Sequence, residues 1–215
     1  MSQRLRLLIL LYLALGSLSL SVWVVAQREN ETAQAIARPA KIHPDYCNAV
    51  LPPNIAPANF QIDEKGVEYA VTIHSTHDSP IEIHSKEPGI IISPQRWKKL
   101  LAANRGEKLK FDILVKDENG NWTQFETIEN TIANEEIDPY LVYRKINLCI
   151  QWRYMGIFQR NLETYDESAV LHNRSFSTAC FNCHTFMNND PGHMVLQVRS
   201  GEFGTPMLLV DGDSV

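Results

Sequence analysis

Residues 107–133, "EKLKFDILVKDENGNWTQFETIENTIA", decide the fold class. The two halves, 107–117 and 122–133, alternate apolar and polar residues, which is the period of a strand with one buried face. Between them Asn119-Gly120 is a hairpin signal, because both residue types tolerate the positive φ of a tight turn. Working back along the chain, "VEYAVTIHS" (67–75) and "PIEIHS" (80–85) alternate in the same way. One helix interrupts the strands. Ser93-Pro94 supplies an N-cap and first position, Gln95 to Ala103 continue the helix, and it stops near Asn104 to Gly106. Short strands separated by turn signals predict a mainly β chain with an immunoglobulin- or fibronectin-like β-sandwich over 59–148.

Before this region lies a different composition. Arg4 and Arg6 precede Leu7 to Ala26, an uncharged and almost wholly apolar run. Its length suits a membrane-spanning helix, and Val24-Val25-Ala26 suits a cleavage site. Residues 1–26 are therefore read as a signal peptide or signal anchor. Either one exports the remainder to the periplasm or the outer face of the inner membrane. Residues 27–58 read as a tether followed by a proline-rich lead-in, since the prolines between Pro44 and Pro57 forbid a continuous helix. A formal net charge of −5, with no basic cluster beyond the N-terminus, argues against nucleic acid as a partner.

The region 149–215 carries the chemistry. In "CIQWRYMGIFQRNLETYDESAVLHN", Ile157, Gln159 and Asn161 fall on one strand face and Phe158, Arg160 and Leu162 on the other. Near the end, "TPMLLVDGD" reads as a further strand. Between them stands Cys180-Phe-Asn-Cys183-His184. A covalently attached haem needs two thiols to add to its vinyl groups and an imidazole to ligate iron, and C-x-x-C-H is the signature of that attachment. Zinc held by Cys180, Cys183, His184 and His193 is a second reading, although adjacent Cys183 and His184 suit one tetrahedral ion poorly. A thioredoxin-type redox pair and a disulfide within the CxxC are others.

After the motif, Asp190 as N-cap, Pro191 at the first position and Gly201 as stop predict a short helix over 191–200. On it Met194 shares a face with Val198, and Met194 is the expected second axial ligand, with His193 as the alternative. Met187, Met155 and His172 are weaker candidates, and Arg174 and Arg199 are candidates for the propionates. Cys47 and Cys149 remain, and in an oxidising compartment a Cys47–Cys149 disulfide is expected. His74, His77 and His84 lie close in sequence, but strand alternation and a turn account for them better than a metal does. Sequons begin at Asn30, Asn121 and Asn173.

The segments "IHPDYCNAVLPPNIAPANFQI", "YMGIFQRNLETYDE" and "CFNCHTFMNNDPGHMVLQVRSGEFGTPMLLVDG" together resemble the N-terminal region of exported bacterial TolB-like β-propeller proteins. The resemblance runs from about residue 42 onward, with no specific motif over 67–145. It implies a cell-envelope location, haem c and its iron at Cys180, Cys183 and His184, and Met194 as the ligand of interest. It also implies propeller blades further on, where this chain stops at Val215. Where the family has a Phe-His-x-Arg run, this sequence has Leu196-Gln197-Val198-Arg199.

The expected function is that of a monohaem c-type cytochrome-like protein, an electron carrier rather than an enzyme, meeting a redox partner protein. Its rivals are an envelope interaction module in which CxxCH is structural, and a haem sensor or peroxidase with an open site.

Overall fold

The structure is a computed structural model that describes residues 33–146 and 155–211. The chain is mainly β, with sixteen strands and one α-helix among the described residues. It divides into two compact units, one up to Glu136 and one from Ile137 to Val215. The leader or anchor expected over 1–26 lies outside the described residues. Among the described residues no helix is long and apolar enough to cross a membrane.

Unit 1 is organised by the stretch that decided the fold class. Strand β8 (Lys108–Lys116) pairs antiparallel along its length with β5 (Glu68–His74). Its other edge takes β9 (Trp122–Glu126) at one end and β10 (Ile128–Ile132) at the other. The expected single strand over 122–133 is thus broken at Thr127. The Thr127 hydroxyl donates to Asp112 (2.6 Å), whose other oxygen meets His74 Nε2 (2.8 Å). The hairpin turn forms because the Asp117 carboxylate accepts from the N–H groups of Asn119 and Asn121 while Gly120 takes φ +87°.

Strand β6 (Ile81–Ser85) continues the sheet beyond β5. At the opposite edge, β1 (Gln34–Pro39) runs parallel to β9 and β3 (Val50–Leu51) parallel to β10. A three-stranded sheet of β2 (Ile42–His43), β4 (Phe60–Ile62) and β7 (Gly89–Ile90) shares the same core. The part of the tether and lead-in among the described residues, 33–58, is therefore built into the unit. Ile36 packs on the core, and Arg38 forms a two-pronged ion pair with Glu64 (2.6 and 3.0 Å) while lying over the Phe125 ring.

The helix is where the sequence placed it. α1 (Pro94–Ala103) buries Trp97, Leu100 and Leu101, and Trp97 Nε1 donates to the Ile55 carbonyl (3.0 Å). Ser93 takes the N-cap position without a side-chain capping bond. At the other end buried Asn104 donates to the carbonyls of Leu100 and His77 and accepts from the His77 N–H.

Unit 2 consists of two antiparallel three-stranded sheets. The first is β11 (Tyr140–Ile146), β12 (Met155–Asn161) and β13 (Glu167–His172). The second, after a 3-10 turn at Asn173–Phe176, is β14 (Cys180–Met187), β15 (Asp190–Arg199) and β16 (Met207–Asp211). Because β11 pairs with β12, the division falls at 136/137 rather than at 148/149. Met155, Ile157, Ala179, Leu196 and Val198 form the core of this unit.

The helix expected over 191–200 is not formed, and β15 occupies that stretch. Asn188 and Asn189 both take positive φ (52° and 61°) and make the two-residue turn of a β14–β15 hairpin. Pro191 falls in a register irregularity between the Met187–Asp190 and Phe186–Met194 pairs, where its missing N–H breaks no ladder bond. Met194, Leu196 and Val198 are buried at intervals of two, as a strand requires.

Candidate functional site

The CxxCH segment opens β14, which pairs on one edge with β15 and has no strand on its other edge among the described residues. Phe181 stands opposite Val198 and His184 opposite Leu196, so Asn182 and Cys183 together oppose Gln197. This is a β-bulge, one extra residue that changes the facing of everything after it. Cys180 is half-buried and packs against the small core of the unit. Cys183 is exposed. His184 shares the rung of fully buried Leu196, and its ring meets Phe186 edge-on at 6.4 Å. Both thiols are free.

A haem attached through both thioethers and ligated by the histidine needs Cys183 and His184 on the same side of the segment. With β14 paired they are successive strand residues directed to opposite faces. The donor set is complete, and holding one porphyrin with it requires Cys183 and His184 to turn from the opposite faces they take in the paired strand. The zinc set is not assembled either. Among the described residues no three His, Cys, Asp or Glu side chains come together to hold a metal ion.

Met194 and His193 diverge for the same reason. Met194 is buried opposite Phe186, one same-face rung from His184 and Leu196. It lines a cavity of about 460 Å³. His193 is directed the other way and lies between two carboxylates, with Nδ1 2.9 Å from Asp190 and Nε2 3.0 Å from Asp211. The hydrogen bond to Asp190, then the charges of Asp190 and Asp211, raise its pKa above the usual histidine value. The helix-cap reading of Asp190 gives no sign of this cluster in the sequence. The strand pairing of His193 with Asp211 is what completes it.

A second cluster was also missed. On the first sheet of unit 2, Glu167 accepts from Tyr143 and pairs with Lys145 (2.5 Å) and Arg160 (3.7 Å). Lys145 and Tyr143 together hold the Glu167 carboxyl below its usual range. Alternation of 143 and 145 was the available signal, but the partners come from the register of three strands.

The remaining candidates are dispersed. His74 binds Asp112, His77 sits in the turn held by Asn104, and His84 lies on β6 opposite Ala70. Cys47 is exposed, with its N–H bonded to Asp45 (2.9 Å), and its expected partner Cys149 lies outside the described residues. Its surroundings and then the Asp45 carboxylate push the Cys47 thiol up to about 11, so it stays protonated and unreactive near neutral pH. Compared with protein-family models and with curated proteins, the chain matches none.

Proposed function

We propose that this chain is an exported monohaem c-type cytochrome-like protein that carries electrons in the cell envelope. Haem would be held through Cys180, Cys183 and His184, and residues 1–26 would act as leader or anchor. Unit 1 would serve as an immunoglobulin- or fibronectin-like sandwich that presents unit 2 to a redox partner protein. The observation that carries the reading is the complete attachment sequence with two free thiols on an edge strand. When bound, the group supplies one-electron chemistry, and the protein supplies ligands and burial. Because paired β14 turns Cys183 and His184 apart, the reading requires residues 180–184 to leave the ladder when the thioethers form. An edge strand, held on one side only, is the element that can do so.

The spectrum of the full chain purified from a host with haem-attachment machinery tests this. A reduced α-band, with haem retained on a denaturing gel and lost in Cys180→Ala/Cys183→Ala, is expected. A colourless polypeptide of unmodified mass would overturn it. Loss of a sulfur-to-iron charge-transfer band in Met194→Leu would identify Met194 as the second ligand. The opposite facing of Cys183 and His184 favours one other reading, an envelope interaction module in which CxxCH is only a bulged strand. That reading predicts the colourless outcome.

A further inference from the structure

The cavity of about 460 Å³ in unit 2 lies within the size range of small-molecule sites. It opens between the two sheets. Val142, Val170, Phe186, Met194 and Val210 make it apolar, with Tyr140 beside them. Met194 is 3% exposed, whereas Tyr140 and Val170 are 53% and 44% exposed, so the cavity has a buried side and an open one. Among the described residues that line it, Asp138 alone is charged, and none is Lys, Arg or His. Two amides, Gln159 and Asn189, are its other polar side chains apart from the Tyr140 hydroxyl.

We infer that this cavity is a binding site for a small apolar cation, an aryl- or alkylammonium compound. Burial of an apolar group against the aliphatic wall supplies the sequence-independent part of the affinity. Charge decides the class. An apolar anion finds a carboxylate and, among the described lining residues, no cation to pair with, whereas an ammonium group gains attraction to Asp138 and has the rings of Tyr140 and Phe186 in the lining. None of Cys180, Cys183 and His184 lines the cavity, so the inference does not depend on haem attachment, although Met194, the candidate second ligand, forms part of its wall.

The test uses the full chain, made without haem-attachment machinery, titrated with benzyltrimethylammonium and with phenylacetate as the anionic counterpart. Binding is followed by ligand-observed NMR. The cation is expected to bind roughly fivefold or more tightly than the anion, the ratio that about 1 kcal/mol of exposed electrostatics gives. Asp138→Asn, a surface change that leaves the walls intact, is expected to abolish that preference. Val210→Trp, which fills the cavity, is expected to abolish binding of both probes. Equal affinity for the two probes, a preference unchanged in Asp138→Asn, or no saturable binding of the cation would each overturn the inference. The chain used here carries no attached haem in either case, so failure of cation binding overturns the cavity alone, and the haem reading falls only if the chain from the attachment-competent host is colourless.

Discussion

Unit 1 and unit 2 are made of the same material, strands with alternating side chains, but they bury very different amounts. In unit 1 the two sheets and α1 enclose twenty-two mutually packed apolar residues among the described residues, including Trp97 and the pair Phe60 and Phe111, whose rings stack 5.8 Å apart. In unit 2 the corresponding cluster has five. Its outward strand positions stay apolar and open, with Met207 71% and Leu209 55% exposed. Hydrophobic stabilisation follows apolar area removed from water, so most of it lies in unit 1. The unit that carries the CxxCH segment has the smaller margin, and function that needs a strand to move belongs at the low-stability end of a protein.

The most severe way to break this comparison is to cut the smaller core. Leu196 is fully buried between the sheets of unit 2. Leu196→Ala is expected to cost about 3 kcal/mol and to leave unit 2 without a cooperative transition while unit 1 melts unchanged. Hydrogen exchange resolved by peptide separates the two. Equal loss of protection in both units would show that they fold as one and would end the comparison.

A cut of nearly the same size is available in unit 1. Asn104 is fully buried and satisfies the N–H and C=O of His77 together with the last turn of α1. Asn104→Ala leaves those buried groups unpaired and is expected to cost about 2–3 kcal/mol. The larger core should absorb this, so calorimetry should show a lower but still cooperative unit 1 transition.

How far the sequence could be read differs between the units for the same reason. In unit 1 buried and polar positions mostly alternate, apart from the small second cluster of Ala70, Leu114 and Trp122, so the period of 107–133 and the spacing of Trp97, Leu100 and Leu101 are readable. Over 190–199 the spacing is ambiguous. Met194 and Val198 are four apart, which suits a helix face and also every second residue of a strand. Asp190-Pro191 resembles a helix start, but Asn188-Asn189 is already the turn of a hairpin, and the pairing with β16 settles the matter. The CxxCH donors were legible as a set. Their facing was not, because it depends on a bulge opposite Gln197 that only the register reveals.

Two smaller predictions sharpen the comparison electrostatically. In unit 1 the Glu64 carboxylate accepts from Arg38 and from the Lys41 N–H, and its pKa is lowered chiefly by the Arg38 hydrogen bond. A depressed carboxylate stabilises above its unfolded pKa and loses that contribution as pH falls through the folded value. Glu64→Gln should therefore cost about 1 kcal/mol at neutral pH and progressively less as pH falls through the lowered folded pKa of Glu64, read as the difference in urea midpoint. A cost independent of pH would show that the side chain acts by packing alone.

In unit 2 the sign reverses, and the effect is the smallest because the groups are exposed. His193 ties Asp190, beside the hairpin turn, to Asp211 on β16, and both contacts strengthen when the ring is protonated. A histidine with a raised pKa contributes fully below its unfolded value and loses the contribution as pH rises through the folded one. Asp190, lowered first by the Gly192 N–H and then by His193, sets the opposite limit in acid. Unit 2 should thus be most stable between these two titrations and decline as pH rises from the ordinary histidine value through the raised folded value of His193. His193→Gln should remove the alkaline decline without altering the acid limb of unit 1. If the decline persists in that variant, a different group titrates, and the clamp across β15 and β16 contributes packing rather than charge.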